Sequence, residues 1–305
     1  MKIGLQVSSF TWPGGDAEIG PTLARIAAAA DEAGFDSIWV MDHFFQIRSV
    51  GLVEEPMLEG LTALGFMAAH THRARLGLMV GGIHYRHPGM WIKAVTTLDV
   101  LSGGRAWFGI GAAWNVQESR ALSFPMPVLA DRFVTLEETL QMAHLAFTGE
   151  RGSETELDGR FVQAERIMNS PQSISRPRPP ILVGGGGERK TLRLAARYGD
   201  ACNVFGGPDM LRHKYDVLRR HCLAVGRDYG EIERTNLATI SITPDGRRGS
   251  LTPAGLVDRL GGWAEAGSQH TIFSIREVSD VSKIELIGRD VLPKVRGLGD
   301  PSPVR

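Results

Sequence analysis

Residues Ile181-Leu182-Val183-Gly184-Gly185-Gly186-Gly187-Glu188-Arg189-Lys190 hold a strand, a turn and the opening of a helix in one short phrase. The apolar, β-branched triplet reads as a strand, the glycines turn the chain, and Glu188 to Tyr198 follows a helical period. The same phrase recurs on both sides. Ile3 to Val7 precedes a helix from about Asp16 to Ala33 that stops at Gly34, and Ser37 to Met41 precedes one at Leu58 to His72. Arg75 to Val80 leads to a helix opened by Pro88, whose missing N–H costs nothing at the first helical position. Ala106 to Ile110 is followed by Asp131 to Thr148. Downstream, Ala201 to Phe205 precedes Asp209 to Val225, and Thr235 to Ile242 precedes Pro253 to Ala266. Finally, His270 to Ile275 precedes Val281 to Val295.

Eight strand–helix pairs predict an α/β fold, a single (β/α)8 TIM barrel, because each parallel neighbour requires a crossover. An open doubly wound sheet is the alternative, and strand count and the 305-residue length favour the barrel. Residues 1–305 read as one domain. Two stretches interrupt the rhythm: Phe44 to Pro56 after strand two, and Gly149 to Pro180 between helix four and strand five. Within the second, Glu156 to Val162 reads as a small hairpin and Pro171 to Pro180 as an irregular return.

Composition narrows the class. With 34 basic and 34 acidic residues the formal charge is zero, which favours neither nucleic acid nor an anionic membrane as partner. A small-molecule organic substrate is the expected partner, and copies of the chain itself remain open. The 43% hydrophobic and 22% charged content is that of a globular protein. Cys202 and Cys222 form no C-x-x-C pair, and Met1 to Leu5 lacks a signal-peptide core, so a cytoplasmic protein is expected.

In a parallel barrel the residues just after each strand meet at one mouth. Here these are Asp42-His43; Gly81-Gly82 with His84, Tyr85, Arg86 and His87; Gly111 to Asn115; Gly184 to Lys190; and Gly206-Gly207. Glycines ahead of a helix give exposed N–H groups and the positive end of the helix dipole, which suit a phosphate. A tight turn without ligand is the other reading, but two glycines would suffice for that. The run is neither a P-loop nor a Rossmann fingerprint. His43 is the acid–base candidate by position and ordinary pKa, with a structural histidine as the alternative. His70 and His72 fall near a helix end, and no Cys or carboxylate completes a metal set around His84 and His87, so no metal is expected. Hydrolase motifs are absent. Such a mouth suits a cofactor that carries the reaction itself.

Several stretches then carry a resemblance. Trp39-Val40-Met41-Asp42-His43-Phe44, Arg75 to Val80 with Tyr85-Arg86-His87-Pro88, Thr97 to Arg105 running into Phe108-Gly109-Ile110-Gly111, Asp131-Arg132-Phe133 and Gly184 to Lys190 are similar to segments of the luciferase-like monooxygenase superfamily. The chain looks closest to its branch of F420-dependent (deazaflavin) oxidoreductases. The resemblance spans nearly the whole chain. It implies that Asp42 and His43 line the cofactor, with His43 in proton transfer, and that Met79–Val80 is a bulge with a non-proline cis peptide. It further implies that Gly81, Gly82, Gly111, Ala112, Trp114 and Asn115 border the ring and its side chain, and that Gly184, Gly185, Gly186 and Gly187 hold the phosphate. Members that oxidise sugar phosphates carry a glutamate where this chain has Trp114, which argues against a sugar phosphate here. The implied cofactor is coenzyme F420, with Arg189, Lys190 and Arg193 favouring its polyanionic tail. FMN in a luciferase-like monooxygenase using externally reduced flavin is the first alternative. A non-catalytic flavin-binding protein is the second.

Overall fold

The structure is a computed structural model describing residues 1–149 and 155–298, so residues 150–154 of the long excursion and the last seven positions lie outside the described residues. The elements of the first half are β1 (Lys2–Val7), α1 (Ile19–Ala33), β2 (Ser37–Val40), α2 (Gly60–Ala68), β3 (Arg75–Leu78), β4 (Gly81–Gly82), α3 (Pro88–Leu101), β5 (Ala106–Gly111), α4 (Val116–Ala121) and α5 (Leu129–Thr148). Then come β6 (Leu157–Asp158), β7 (Gln163–Ala164), β8 (Ile181–Gly184), α6 (Thr191–Tyr198), β9 (Ala201–Phe205) and α7 (Pro208–Val225). β10 (Glu233–Ile240), α8 (Pro253–Glu265), β11 (His270–Ile275), α9 (Ser282–Asp290) and α10 (Leu292–Val295) complete the order.

Eight strands pair in parallel in the order β3-β2-β1-β11-β10-β9-β8-β5, and β5 returns to β3 through Leu76↔Ala106 and Gly77↔Trp107. The sheet is therefore a closed (β/α)8 barrel and not an open doubly wound sheet. Alternate strand residues face opposite ways. Ile38, Val40, Phe108, Ile110, Ile181 and Val183 join the core beneath the helices, while Trp39, Trp107 and Leu182 belong to a second cluster with Met79, Ala201 and Ile272. The Trp39 and Trp107 rings lie 5.7 Å apart in the second cluster, and Gly77 makes room for them: a β-carbon there would meet Trp39 at 2.6 Å. No described helix is long and apolar enough to cross a membrane.

The departures from the sequence reading have local causes. Strand three stops at Leu78 and not at Val80, and pairing to β5 resumes at Gly81 and Gly82; the Met79–Val80 peptide between them is cis, as the resemblance implied. The helix anticipated at Leu58 to His72 is shorter, because the Glu59 side chain caps it by accepting from the N–H groups of Leu61 and Thr62, and Arg105 takes the carbonyls of Ala68 and Thr71. The last helix breaks at Val291. Pro293 has no N–H to give the carbonyl of Arg289, and its ring crowds that carbonyl. The hairpin pairs β6 with β7, so its second strand lies beyond Val162; the buried Glu138 carboxylate collects the N–H groups of Arg160, Phe161 and Val162 and makes them the turn. Asp99 ties down the return of the same excursion, accepting from the N–H groups of Ile174 and Ser175 at 2.7 and 2.9 Å.

One close approach governs the interrupted strand. The carbonyl oxygen of Leu78 lies 1.9 Å from where a β-carbon on Gly109 would be. Both groups are backbone, so neither can rotate away. Gly109→Ala is expected to cost about 3 kcal/mol or more through overpacking. By contrast, Gly65 is exposed on α2 with nothing within 4 Å of its β-carbon position, and Gly65→Ala should stabilise by about 0.5–1 kcal/mol. Urea unfolding midpoints of the two variants, read against the parent chain, test the pair.

Candidate active site

The carboxyl ends of the strands enclose a cavity of about 720 Å³. Asp42, His43, Met79, Val80, Gly81, Gly82, Gly111, Ala112, Trp114, Gly184, Gly185 and Gly187 all line it. Two anticipated residues do not. Asn115 spends its side chain as the cap of α4, accepting from the N–H groups of Gln117 and Glu118. Gly186 lies just outside, its carbonyl bound by the Lys214 ammonium at 2.9 Å.

The floor is built by Val80. Its side chain is seated between β5 and β8, where β-carbons on Gly111 and Gly184 would approach it to 2.9 and 2.7 Å. Two of the mouth glycines are thus required by packing alone. Gly185 adopts φ +123°, a left-handed conformation that favours glycine, and a β-carbon on Gly187 would meet the Thr191 hydroxyl at 2.7 Å. Gly186 is different, because its nearest neighbour would be Lys214 at 3.9 Å. The helix begins at Thr191, not Glu188. Glu188 is drawn aside by Lys214 and His213, and no side chain caps the first turn of α6. The Leu192 N–H is taken by the Gly187 carbonyl at 3.0 Å, but with no side-chain cap and open ground at Gly186 the loop is able to receive an anion. Arg189, Lys190 and Arg193 are exposed beside it, with the Lys190 ammonium 5.1 Å from the Phe133 ring on the cavity wall.

Asp42 is fully committed. One carboxylate oxygen accepts from the Gly82 N–H at 2.9 Å, and the Arg86 guanidinium forks onto both oxygens at 2.7 and 2.8 Å. Arg86 also bonds Glu59 at the start of α2. Asp42 therefore holds the Gly81–Gly82 backbone against the cavity and is not placed to exchange protons.

His43 is held differently. Its Nδ1 lies 2.7 Å from Glu118, which is fully buried and also accepts from the Tyr85 hydroxyl and the N–H groups of Phe44 and Phe45. Burial alone would raise the Glu118 pKa, but hydrogen bonds from His43 and Tyr85, with the His43 charge and the Phe44 N–H, outweigh it and hold the carboxyl below its ordinary value. An ionised Glu118 can only accept a hydrogen bond, so Nδ1 carries the proton it donates and the neutral imidazole presents an unprotonated Nε2. Among the described residues Nε2 has no hydrogen-bond partner. Trp114 meets the ring edge-on at 5.4 Å and is itself 62% exposed, leaving an indole face free at the mouth beside Phe205, Leu129 and Val50. Arg132 steadies this loop by donating to the carbonyls of Ala112 and Ala113, where Ala113 takes φ +55°. His84 is bound to Ser119 at 2.8 Å, and burial lowers its pKa.

Glu118 is the residue that sequence reading missed, since α4 is too short to show a period. A signal was present: Asn115 followed three residues later by Glu118 is a helix-start signature. Gln6, Asn203 and Ser274, which also line the cavity, are polar residues set among apolar neighbours in their strands. Gln6 donates to the Met79 carbonyl at 3.3 Å and accepts from Ser274 at 2.8 Å.

Comparison with known proteins places this geometry. The family model described as luciferase-like monooxygenase matches residues 1–247. A curated relative from Kineococcus radiotolerans, named F420-dependent glucose-6-phosphate dehydrogenase, is 28% identical over 302 residues, covering 95% of this chain and 82% of its own length. Among solved structures, the coenzyme F420-dependent tetrahydromethanopterin reductase of Methanopyrus kandleri superposes with a TM-score of 0.78 at 16% identity, over 96% of this chain and 98% of the other. The monooxygenase RslO1 from Streptomyces bottropensis gives 0.80 at 19%, over 96% and 99%. The two structures share the fold. With the family match running from β1 through β10, the chain belongs to the luciferase-like monooxygenase family.

Proposed function

We propose that this chain is an F420-dependent oxidoreductase acting on an organic substrate, with His43 as its proton-transfer group. The observation that carries the reading is the His43–Glu118 pair at the wall of a largely apolar, glycine-floored cavity. The names of its curated relatives support the choice of cofactor. The cavity volume lies in the range of cofactor sites. Gly184 to Gly187 and the first turn of α6 would hold the phosphate, and Met79 to Gly82 with Gly111 and Ala112 would border the ring. When bound, F420 supplies a two-electron hydride carrier unsuited to oxygen activation. The chain's own part is orientation, exclusion of water and the proton. Glu118 fixes the imidazole so that Nε2 takes up or gives back a proton at the substrate, according to the direction of reaction.

The substrate of the named relatives is not carried over. Trp114 stands where the sugar-phosphate-oxidising pattern has glutamate, and it offers an exposed indole instead of a carboxylate.

Titrating the cofactor-free protein separately with F420 and FMN tests the cofactor. F420 should bind more tightly and weaken with added salt, since Arg189, Lys190 and Arg193 attract a polyanionic tail. Equal or tighter FMN binding with oxygen consumption during turnover would instead make the protein a monooxygenase. Bound F420 with no turnover on any substrate would leave a binding protein.

The dyad is tested by two variants. His43→Ala should lower turnover by about 10²–10⁴-fold with F420 affinity nearly intact. Glu118→Gln should lower it about tenfold or more, because the amide still fills the site but can offer Nδ1 the wrong group. The sign of the pH effect follows from the depressed Glu118 pKa: its hold on His43 is complete above the ordinary 4.5 and is lost as pH falls through the lowered value. Kcat measured down the acid limb should show that loss in the parent chain and not in Glu118→Gln. Unchanged turnover in His43→Ala would reduce the residue to a lining role.

A further inference from the structure

Over the ends of β1, β10 and β11 lies a second hollow of about 680 Å³. It shares Ser8, Ser49, Val50, Thr239 and Ser274 with the main cavity, so the two form one continuous trough. Trp12, Ile275 and Val278 give its inner part an apolar wall. Two features of its lining, which includes the exposed Ser49, Thr239 and Arg276, suit the polar part of a ligand. The hydroxyls of Ser8, Ser49, Thr239 and Ser279 make no hydrogen bond among the described residues, although each lines it. Among the described residues Arg276 is the one Lys or Arg lining either hollow. Its backbone is fixed, the N–H donating to Ile240 and the carbonyl accepting from Lys283, but its guanidinium has no partner among the described residues.

The acidic groups nearby are already committed. Asp42 is forked to Arg86, Glu277 is paired with Lys283, and Asp280 accepts from the N–H and hydroxyl of Ser282. A single uncompensated guanidinium matches one negative charge, and its planar fork matches a carboxylate. A phosphate monoester, near −1.5 to −2, would be only partly compensated by it.

The geometry points to a carboxylate-bearing amphiphile as the substrate class. Its apolar, reacting portion lies at Trp114 and His43, its length passes the hydroxyls of Ser8, Ser49 and Thr239, and its carboxylate meets Arg276. The placement of the reacting portion rests on the function proposed above; the carboxylate end does not.

Calorimetric titration with octanoate, octanamide and octyl phosphate tests this, in F420-saturated protein and again without cofactor. Octanoate should bind about tenfold more tightly than octanamide and at least as tightly as octyl phosphate. Arg276→Gln should bring octanoate to the level of the amide, with the thermal midpoint unmoved because the side chain is exposed and its guanidinium makes no hydrogen bond or ion pair among the described residues. Arg276→Lys, which keeps the charge without the fork, should fall between. Equal affinity for octanoate and octanamide, no octanoate binding, tighter binding of the phosphate, or insensitivity to Arg276→Gln would each overturn the inference. The cofactor-free series reads this site even where F420 itself fails to bind, so the two failures are distinguishable.

Discussion

The mouth of this barrel depends on a contact between backbone and backbone, the Leu78 carbonyl lying against Gly109. Past this contact the third strand, which ends at Leu78 level with Val40 of β2, gives way to a turn that sets Val80 against Gly111 and Gly184. Everything chemical is arranged around that turn. Gly82 is bound by Asp42, Asp42 by Arg86, and Arg86 by the carboxylate that caps α2. After β5, Arg132 of α5 holds the loop that carries Trp114 and leads into α4. A cavity floor made by one valine wedged between two glycines is close-packed, with backbone on both sides of the side chain.

A second theme is the use of buried carboxylates as collectors of loop N–H groups. Asp31 gathers those of His72, Arg73 and Ala74, Asp99 those of Ile174 and Ser175, Glu118 those of Phe44 and Phe45, and Glu138 those of the hairpin turn. In each case one helix or loop reaches across to fix another. Burial of an ionised carboxylate is tolerated only where such donors replace water. The neutral overall charge of the chain conceals this internal division of labour.

The barrel was legible because its strands are short, apolar and evenly spaced, and because Gly34 and Pro88 mark a helix end and a helix start in the sequence itself. The mouth residues were legible for a related reason: strand ends converge whatever the side chains are. What was not legible depended on contacts distant in sequence. Glu118 meets His43 across 75 positions, Glu138 shapes a turn more than twenty residues away, and the break at Val291 is a matter of which carbonyl faces Pro293. The four-glycine run was read as one motif. In space its members serve separate ends, with Gly184 yielding to Val80, Gly187 yielding to Thr191 and Gly186 left open.

The ring closes by pairing β1 with β11, Lys2 against His270. A nascent chain can lay β1 beside β2 early, yet the other edge of β1 stays unpaired until the last strand has been made. During that interval the protein carries an open, apolar strand edge of the kind that recruits foreign strands. The long sequence separation also makes closure a slow, late step. Assembly of this barrel is therefore a race between synthesis of its final quarter and association through its first strand, and how well it is won sets the yield of soluble protein.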